Sequence, residues 1–202
     1  MDKLILKSKL NDKQQNVFLN LYDSDQYDHW HYYAGDDKES TPEARGRKHL
    51  FLNDIDEPEL QLTLKEIEND LFTSNNFDKT KFKLITKIEN KLYPTLLSCI
   101  YKVDGLPSHG VHTHRDGRGP NDEMQVRFNY LVSKPIEGGE PVVNRRIIDL
   151  EEKDSMILFA SEWLHRGMPV EGDKVRILLS VGYIVENNYA QELEKRFNYG
   201  RI

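Results

Sequence analysis

Lys174-Val175-Arg176-Ile177-Leu178-Leu179-Ser180-Val181-Gly182-Tyr183-Ile184-Val185 is an apolar run with an arginine near its start. Its Val, Ile, Leu and Tyr content reads as a β-strand. Side chains two apart share a strand face, so Arg176, Ser180 and Gly182 point to one side. An arginine buried in an apolar strand needs an anionic partner, because an unpaired buried charge is very costly. A guanidinium binds a carboxylate through two parallel hydrogen bonds, and Ser180 offers a further hydroxyl. The simpler alternative is a surface salt bridge from Arg176 to Glu171 or Asp173.

This strand closes a series. After Pro94, the stretches 95–103, 111–116, 123–133, 141–150 and 155–161 also read as strands, divided by Gly, Pro, Asn and Asp clusters. Before Pro94 the period is helical. Asn11 is a candidate N-cap for a helix over 11–23 carrying Val17, Phe18 and Leu21. Pro58 suits the first turn of a second helix, continued by Leu60, Leu64, Ile67 and Leu71. A third helix is expected over 79–92, a short strand over 48–52 and a closing helix over 188–197. Residues 24–47 read as a long loop containing His29, Trp30, His31, Tyr32 and Tyr33, either a lid over substrate or a loop packed outside the barrel. Helices followed by many short strands imply an α+β protein with an antiparallel barrel or sandwich. The expected organisation is a single domain over 1–202: a helical and loop support over 1–94, a core over 95–185, and a C-terminal helix over 186–202.

Bulk properties set limits. With 202 residues the chain can bury a real core without disulfide staples. Its one cysteine, Cys99, lies in an apolar run and is expected to be a buried, inert thiol. Charged residues make up 31% and the net charge is −6, which argues against general nucleic-acid binding. Mean hydropathy is −0.70. No apolar stretch is long enough for a membrane span, and Lys3 and Lys7 break the N-terminal apolar run too early for a signal peptide. A cytoplasmic protein is the default expectation.

The chemistry concentrates around His112, His114 and Asp116, which share a face if 111–116 is a strand. His165, in Trp163-Leu164-His165-Arg166-Gly167, is the candidate third ligand. Two imidazoles and one carboxylate leave three coordination positions open, the facial triad of non-haem Fe(II) oxygenases. A dicarboxylate cosubstrate could then reach from the iron to Arg176. His112 either lines the pocket or replaces His114 in a shifted register. Arg127 and Asn129 share a face with Leu131. Arg127 is read as meeting a substrate anion or the cosubstrate, or as pairing with Glu140 or Asp149. Arg145 and Arg146 read as solvated surface.

Taken in order, His114-Arg115-Asp116, Phe128-Asn129-Tyr130-Leu131, Gly138-Gly139-Glu140, Met156-Ile157-Leu158-Phe159, Leu164-His165-Arg166-Gly167, Arg176 and Ser180 resemble the 2-oxoglutarate/Fe(II)-dependent dioxygenases, closest to the prolyl-4-hydroxylase-like branch. The resemblance covers roughly residues 95–185. It implies a double-stranded β-helix (a cupin-like jelly roll) with flanking N-terminal helices and a short C-terminal helix. It further implies iron on His114, Asp116 and His165, and 2-oxoglutarate on Arg176 with Ser180, Tyr101 and Asn129 lining its pocket. Asn129 departs from the inward tyrosine that many prolyl hydroxylases carry there. Arg127, His112 and Trp30 are candidates for the substrate side.

The implied reaction is hydroxylation of a C–H bond by O2, with release of succinate and CO2. Its substrate would be peptidyl, of prolyl type, or a small amino-acid-like molecule. Asp116 favours hydroxylation, since related halogenases lack the carboxylate. Two other readings remain open. One is a cupin-type metalloprotein using His112, His114 and His165 without 2-oxoglutarate; the other is a non-catalytic jelly-roll binding protein.

Overall fold

The computed structural model describes residues 3–24, 46–102, 108 and 113–197. The loop over 24–47 therefore lies almost wholly outside the described residues, with Trp30, as do His109 and His112. Three helices and ten strands are described: α1 (Asp12–Asp23), α2 (Pro58–Asn75) and α3 (Asn187–Arg196), with β1 (Ile5–Lys9), β2 (Arg47–Phe51), β3 (Phe82–Leu84), β4 (Leu96–Ile100), β5 (Met124–Ser133), β6 (Pro141–Val143), β7 (Arg146–Ile147), β8 (Asp154–Leu158), β9 (His165–Gly167) and β10 (Arg176–Val185). Both sheets are antiparallel. Seven strands form the larger, in the order β1-β8-β5-β10-β4-β2 with β3 also on β10; β7-β6-β9 form the smaller.

Local chemistry starts the helices where the sequence placed them. The Asn11 side chain accepts from the Gln14 backbone while the Gln14 side chain accepts from the Asn11 N–H, a complete capping box. Pro58 begins α2, and Asn76 ends it in the left-handed conformation. One core cluster joins Phe18 and Leu21 of α1, Leu60, Ile67 and Leu71 of α2 and Leu193 of α3 to Leu97, Cys99, Phe128, Tyr130, Ile177 and Leu179 of the larger sheet. These strand positions alternate with Arg127, Asn129, Arg176 and Ser180, so burying one face against helices aims the other set away from them.

The expected helix over 79–92 does not form. A single 3-10 turn at Lys79–Lys81 leads into β3, and Glu89 and Leu92 bridge across a turn in which Asn90 and Lys91 have φ of 50° and 64°. The cause lies in β10. Strand β4 pairs only with Arg176–Ser180, leaving the backbone of Tyr183–Val185 on that edge for β3. Phe82 is held there by Phe72, Phe77, Phe128, Tyr183 and Tyr189, with ring centroids 5.1–5.9 Å away.

Two other strand expectations are revised. Within 111–116, the described residues contain only an isolated antiparallel bridge, His114 to His165. The 141–150 stretch divides into β6 and β7 at a tight turn, where Asn144 and Arg145 have φ of 46° and 67°. Among the described residues no helix is long and apolar enough to cross a membrane.

Candidate active site

His114, Asp116 and His165 come together, with one ligand atom from each lying within 4.8 Å of the others. The backbone sets this geometry. His114 and His165 exchange N–H···O=C bonds of 3.0 Å in both directions, and the Asp116 N–H donates to the Ala160 carbonyl at 2.9 Å. Gly117 follows directly, and a Cβ there would lie 1.9 Å from the Asn90 carbonyl oxygen, so only glycine lets the chain pass.

Both imidazoles aim Nε2 at the same carboxylate oxygen: Asp116 Oδ1 lies 3.4 Å from His114 Nε2 and 3.6 Å from His165 Nε2. His165 Nδ1 lies 3.0 Å from the Trp163 carbonyl. A carbonyl can only accept, so Nδ1 carries a proton and Nε2 is the end available to a metal. Burial alone would raise the Asp116 pKa. The two imidazoles facing it and the charge of Arg127 outweigh it and hold the carboxyl well below its usual range. Two imidazole nitrogens and one carboxylate oxygen converging in this way are a donor set a divalent metal fits.

Along the face of β10 turned from the helices, Arg176 is buried at 4% exposure. Its Nε has no hydrogen-bond partner, and among the described residues no carboxylate forms an ion pair with it. Asp173 pairs instead with Lys102. Burial lowers the Arg176 pKa to about 10, opposed by negative charge at Cys99 when ionised and at Glu140, so the group remains a cation at neutral pH. Gly139 makes room for this side chain: at φ 78°, its absent Cβ would sit 3.3 Å from Arg176 Cδ. An orphaned buried guanidinium of this kind suits a carboxylate ligand such as the far end of 2-oxoglutarate.

The neighbouring polar groups are linked to each other. Arg127 Nε donates to Ser180 Oγ at 2.8 Å, and Ser180 Oγ donates to Asn129 Oδ1. Arg127 also donates to the carbonyls of Tyr93, Pro94 and Ser180 at 2.7–3.2 Å. Its contacts are thus backbone oxygens and Ser180, while Asp149 pairs with Lys134. With Oδ1 engaged, Asn129 has Nδ2 left to offer a ligand. Tyr101 lies one residue beyond β4, half-buried, its N–H donating to the Gly46 carbonyl at 2.8 Å.

Several residues around the site were not read from the sequence as belonging to it; Arg146, read as solvated surface, is indeed exposed. Gln125 Nε2 donates to Asp116 Oδ2 at 3.1 Å. Its signal was available, since Gln125 shares a strand face with Arg127 and Asn129. Arg47 and His49 of β2 lie opposite Ile100 and Ser98, and Ile100 lies opposite Arg176, so they share the Arg176 face. Arg146 lies opposite Val143, which lies opposite His165, so Arg146 shares the His165 face two strands away. The β6–β7 turn is pinned beside His165: Asn144 N–H donates to the Leu164 carbonyl at 2.7 Å, and Leu164 N–H to Asn144 Oδ1 at 3.2 Å. No glycine marks that turn, so its register was not legible.

No family model matches the chain, and no curated protein matches its sequence. Solved structures do match. A prolyl hydroxylase from Trichoplax adhaerens, in complex with a hypoxia inducible factor peptide fragment, is 15% identical with a TM-score of 0.57, over 98% of this chain and 86% of that one. HygX from Streptomyces hygroscopicus, solved with nickel and 2-oxoglutarate bound, is 11% identical with a TM-score of 0.59, over 90% and 82%. The alpha-ketoglutarate-dependent epimerase SnoN from nogalamycin biosynthesis is 10% identical with a TM-score of 0.60, over 89% and 76%. The chain has the fold shared by this prolyl hydroxylase, by HygX and by the alpha-ketoglutarate-dependent epimerase.

Proposed function

We propose that this chain is a non-haem Fe(II)/2-oxoglutarate-dependent dioxygenase built on a double-stranded β-helix. The observation that carries the reading is the convergence of His114 Nε2, His165 Nε2 and Asp116 Oδ1. His114, Asp116 and His165 would hold the iron, and iron with 2-oxoglutarate would supply the oxidising chemistry with O2. Arg176 would hold the far carboxylate of 2-oxoglutarate, with Asn129 Nδ2 and Tyr101 beside it. Ser180 would act mainly by fixing Arg127 and Asn129, because its proton is already committed to Asn129.

Hydroxylation of a C–H bond in a peptidyl or amino-acid-like substrate is the reaction we favour. Fold likeness alone does not select it, since an epimerase is as similar as a hydroxylase. Asp116 supports it by keeping a carboxylate where a halogenating site would need a vacancy. Arg127, with most of its N–H groups committed, would act on substrate only through what it orders.

The test is succinate formation by purified protein with Fe(II), 2-oxoglutarate and O2, against a panel of amino acids and proline-containing peptides. Succinate dependent on both iron and one class of substrate supports the reading. Metal binding with no 2-oxoglutarate binding would overturn it in favour of a cupin-type metalloprotein.

A further inference from the structure

The two oxygens of Asp116 have different surroundings. Oδ1 faces both histidine Nε2 atoms, at 3.4 and 3.6 Å, while Oδ2 accepts from Gln125 Nε2 at 3.1 Å. Only the nitrogen end of a primary amide can face a carboxylate, which fixes how the Gln125 side chain is turned. Gln125 is fully buried, and its Oε1 has no hydrogen-bond partner among the described residues. A buried amide with half of its bonding capacity unmet is costly, and an apolar side chain would fill the space without that cost. What the amide supplies is the single bond to Asp116.

The backbone makes that bond rigid. Gln125 N–H donates to Ser161 Oγ at 3.0 Å, and its carbonyl accepts from Ala160 N–H at 2.9 Å and Ser161 N–H at 3.4 Å. The Ala160 carbonyl in turn accepts from Asp116 N–H at 2.9 Å. Asp116, Ala160 and Gln125 thus form a closed ring of hydrogen bonds through two backbone links and one side-chain link. The two backbone links hold the main chains of Asp116 and Gln125 at a fixed separation, which sets the amide against Oδ2.

We propose that Gln125 is a positioning residue that keeps Asp116 a one-oxygen ligand. The inference rests on the metal-site reading above. A carboxylate can bind a metal through one oxygen or through both. With both oxygens engaged, Asp116 and the two histidines would fill four of six positions and leave two. With Oδ2 held by Gln125 they fill three and leave three, enough for a two-point 2-oxo acid and one further ligand. Gln125 therefore guards the third open position.

The test uses Co(II), whose visible absorption intensity reports coordination number, with wild type, Gln125→Leu and Gln125→Met. Methionine keeps the unbranched shape, so one soluble, folded variant is sufficient. Expected are one Co(II) per chain in all three, 2-oxoglutarate binding retained in all three, and a Co(II) spectrum changed in both variants with and without 2-oxoglutarate. Identical spectra in wild type and variants would overturn the proposal. So would unfolding of both variants, which would make Gln125 a structural residue. Wild type that fails to bind Co(II) would instead sink the metal-site reading itself, and this is seen before any variant is made.

Discussion

His114 and His165 form a two-way backbone pair: each N–H donates to the other's carbonyl at 3.0 Å, and their imidazole centroids stand 4.3 Å apart. Two proposed metal ligands far apart in sequence are thereby fixed to one another by the backbone bridge, whether or not a metal binds. A site organised in this way should lose metal when a ligand is removed while its backbone stays folded. His165→Ala and Asp116→Ala should each abolish turnover and abolish the rise in Tm that Mn(II) gives wild type. That rise corresponds to about 2.7 kcal/mol at a hundredfold excess of metal over Kd. Variants still stabilised by Mn(II) would place the metal elsewhere.

Arg176 presents the opposite case, a charge whose partner the described residues do not supply. Arg176→Met should leave the metal-free protein as stable as wild type or more so, since a buried unpaired charge is replaced by an apolar side chain. The same variant should raise the KM for 2-oxoglutarate roughly tenfold to a hundredfold, the size of a lost charge-assisted contact. Thermal melts with and without 2-oxoglutarate separate the two effects. A destabilised apoprotein with an unchanged KM would mean that Arg176 is structural.

Cys99 gives a pH dependence of definite sign. Burial pushes its thiol from 9.0 up to about 12, against the opposing charges of Lys48 and Arg176. The folded state therefore favours the neutral thiol. Its contribution to stability is complete below the ordinary thiol pKa and is lost as pH rises from there towards about 12. At pH 8 a thiol reagent should leave native Cys99 unmodified and label it only after unfolding. Rapid labelling of the native protein would contradict its burial.

Much of this was legible because the signals are local. Asn11 and Gln14 lie within one turn, Pro58 pre-sets the start of α2, and the alternation along β10 puts Arg176 and Ser180 on one face whatever they meet. His114, Asp116 and His165 could be named as candidates from residue type and chain order. What stayed hidden depends on groups the sequence does not display. Strand β1 was missed because its inward Ser8 breaks the apolar alternation; in the fold Ser8 lies 3.0 Å from the Ser155 hydroxyl and accepts from Asn75 Nδ2 at 3.1 Å. Strand β3 reads as part of a helix until the free edge of β10 is known. Gln125 shows its face in the alternation, but not that Asp116 lies opposite it.

Arg127 and Arg176 have the same side chain on neighbouring strands, and the structure assigns them different energetics. Arg127 is enclosed by backbone carbonyls of Tyr93, Pro94 and Ser180 and by the Ser180 hydroxyl. Removing it leaves those buried acceptors unmet and takes a compensating charge from Asp116. Arg127→Ala should therefore destabilise the apoprotein by roughly 3 kcal/mol or more, where Arg176→Met costs nothing. Arg127→Lys should recover only part of the loss, because an ammonium cannot span contacts arranged for a planar fork. Denaturant unfolding of the metal-free variants reads this directly. If Arg127→Ala matched wild-type stability and changed only the response to substrate, Arg127 would be a substrate anchor and the carbonyl contacts incidental.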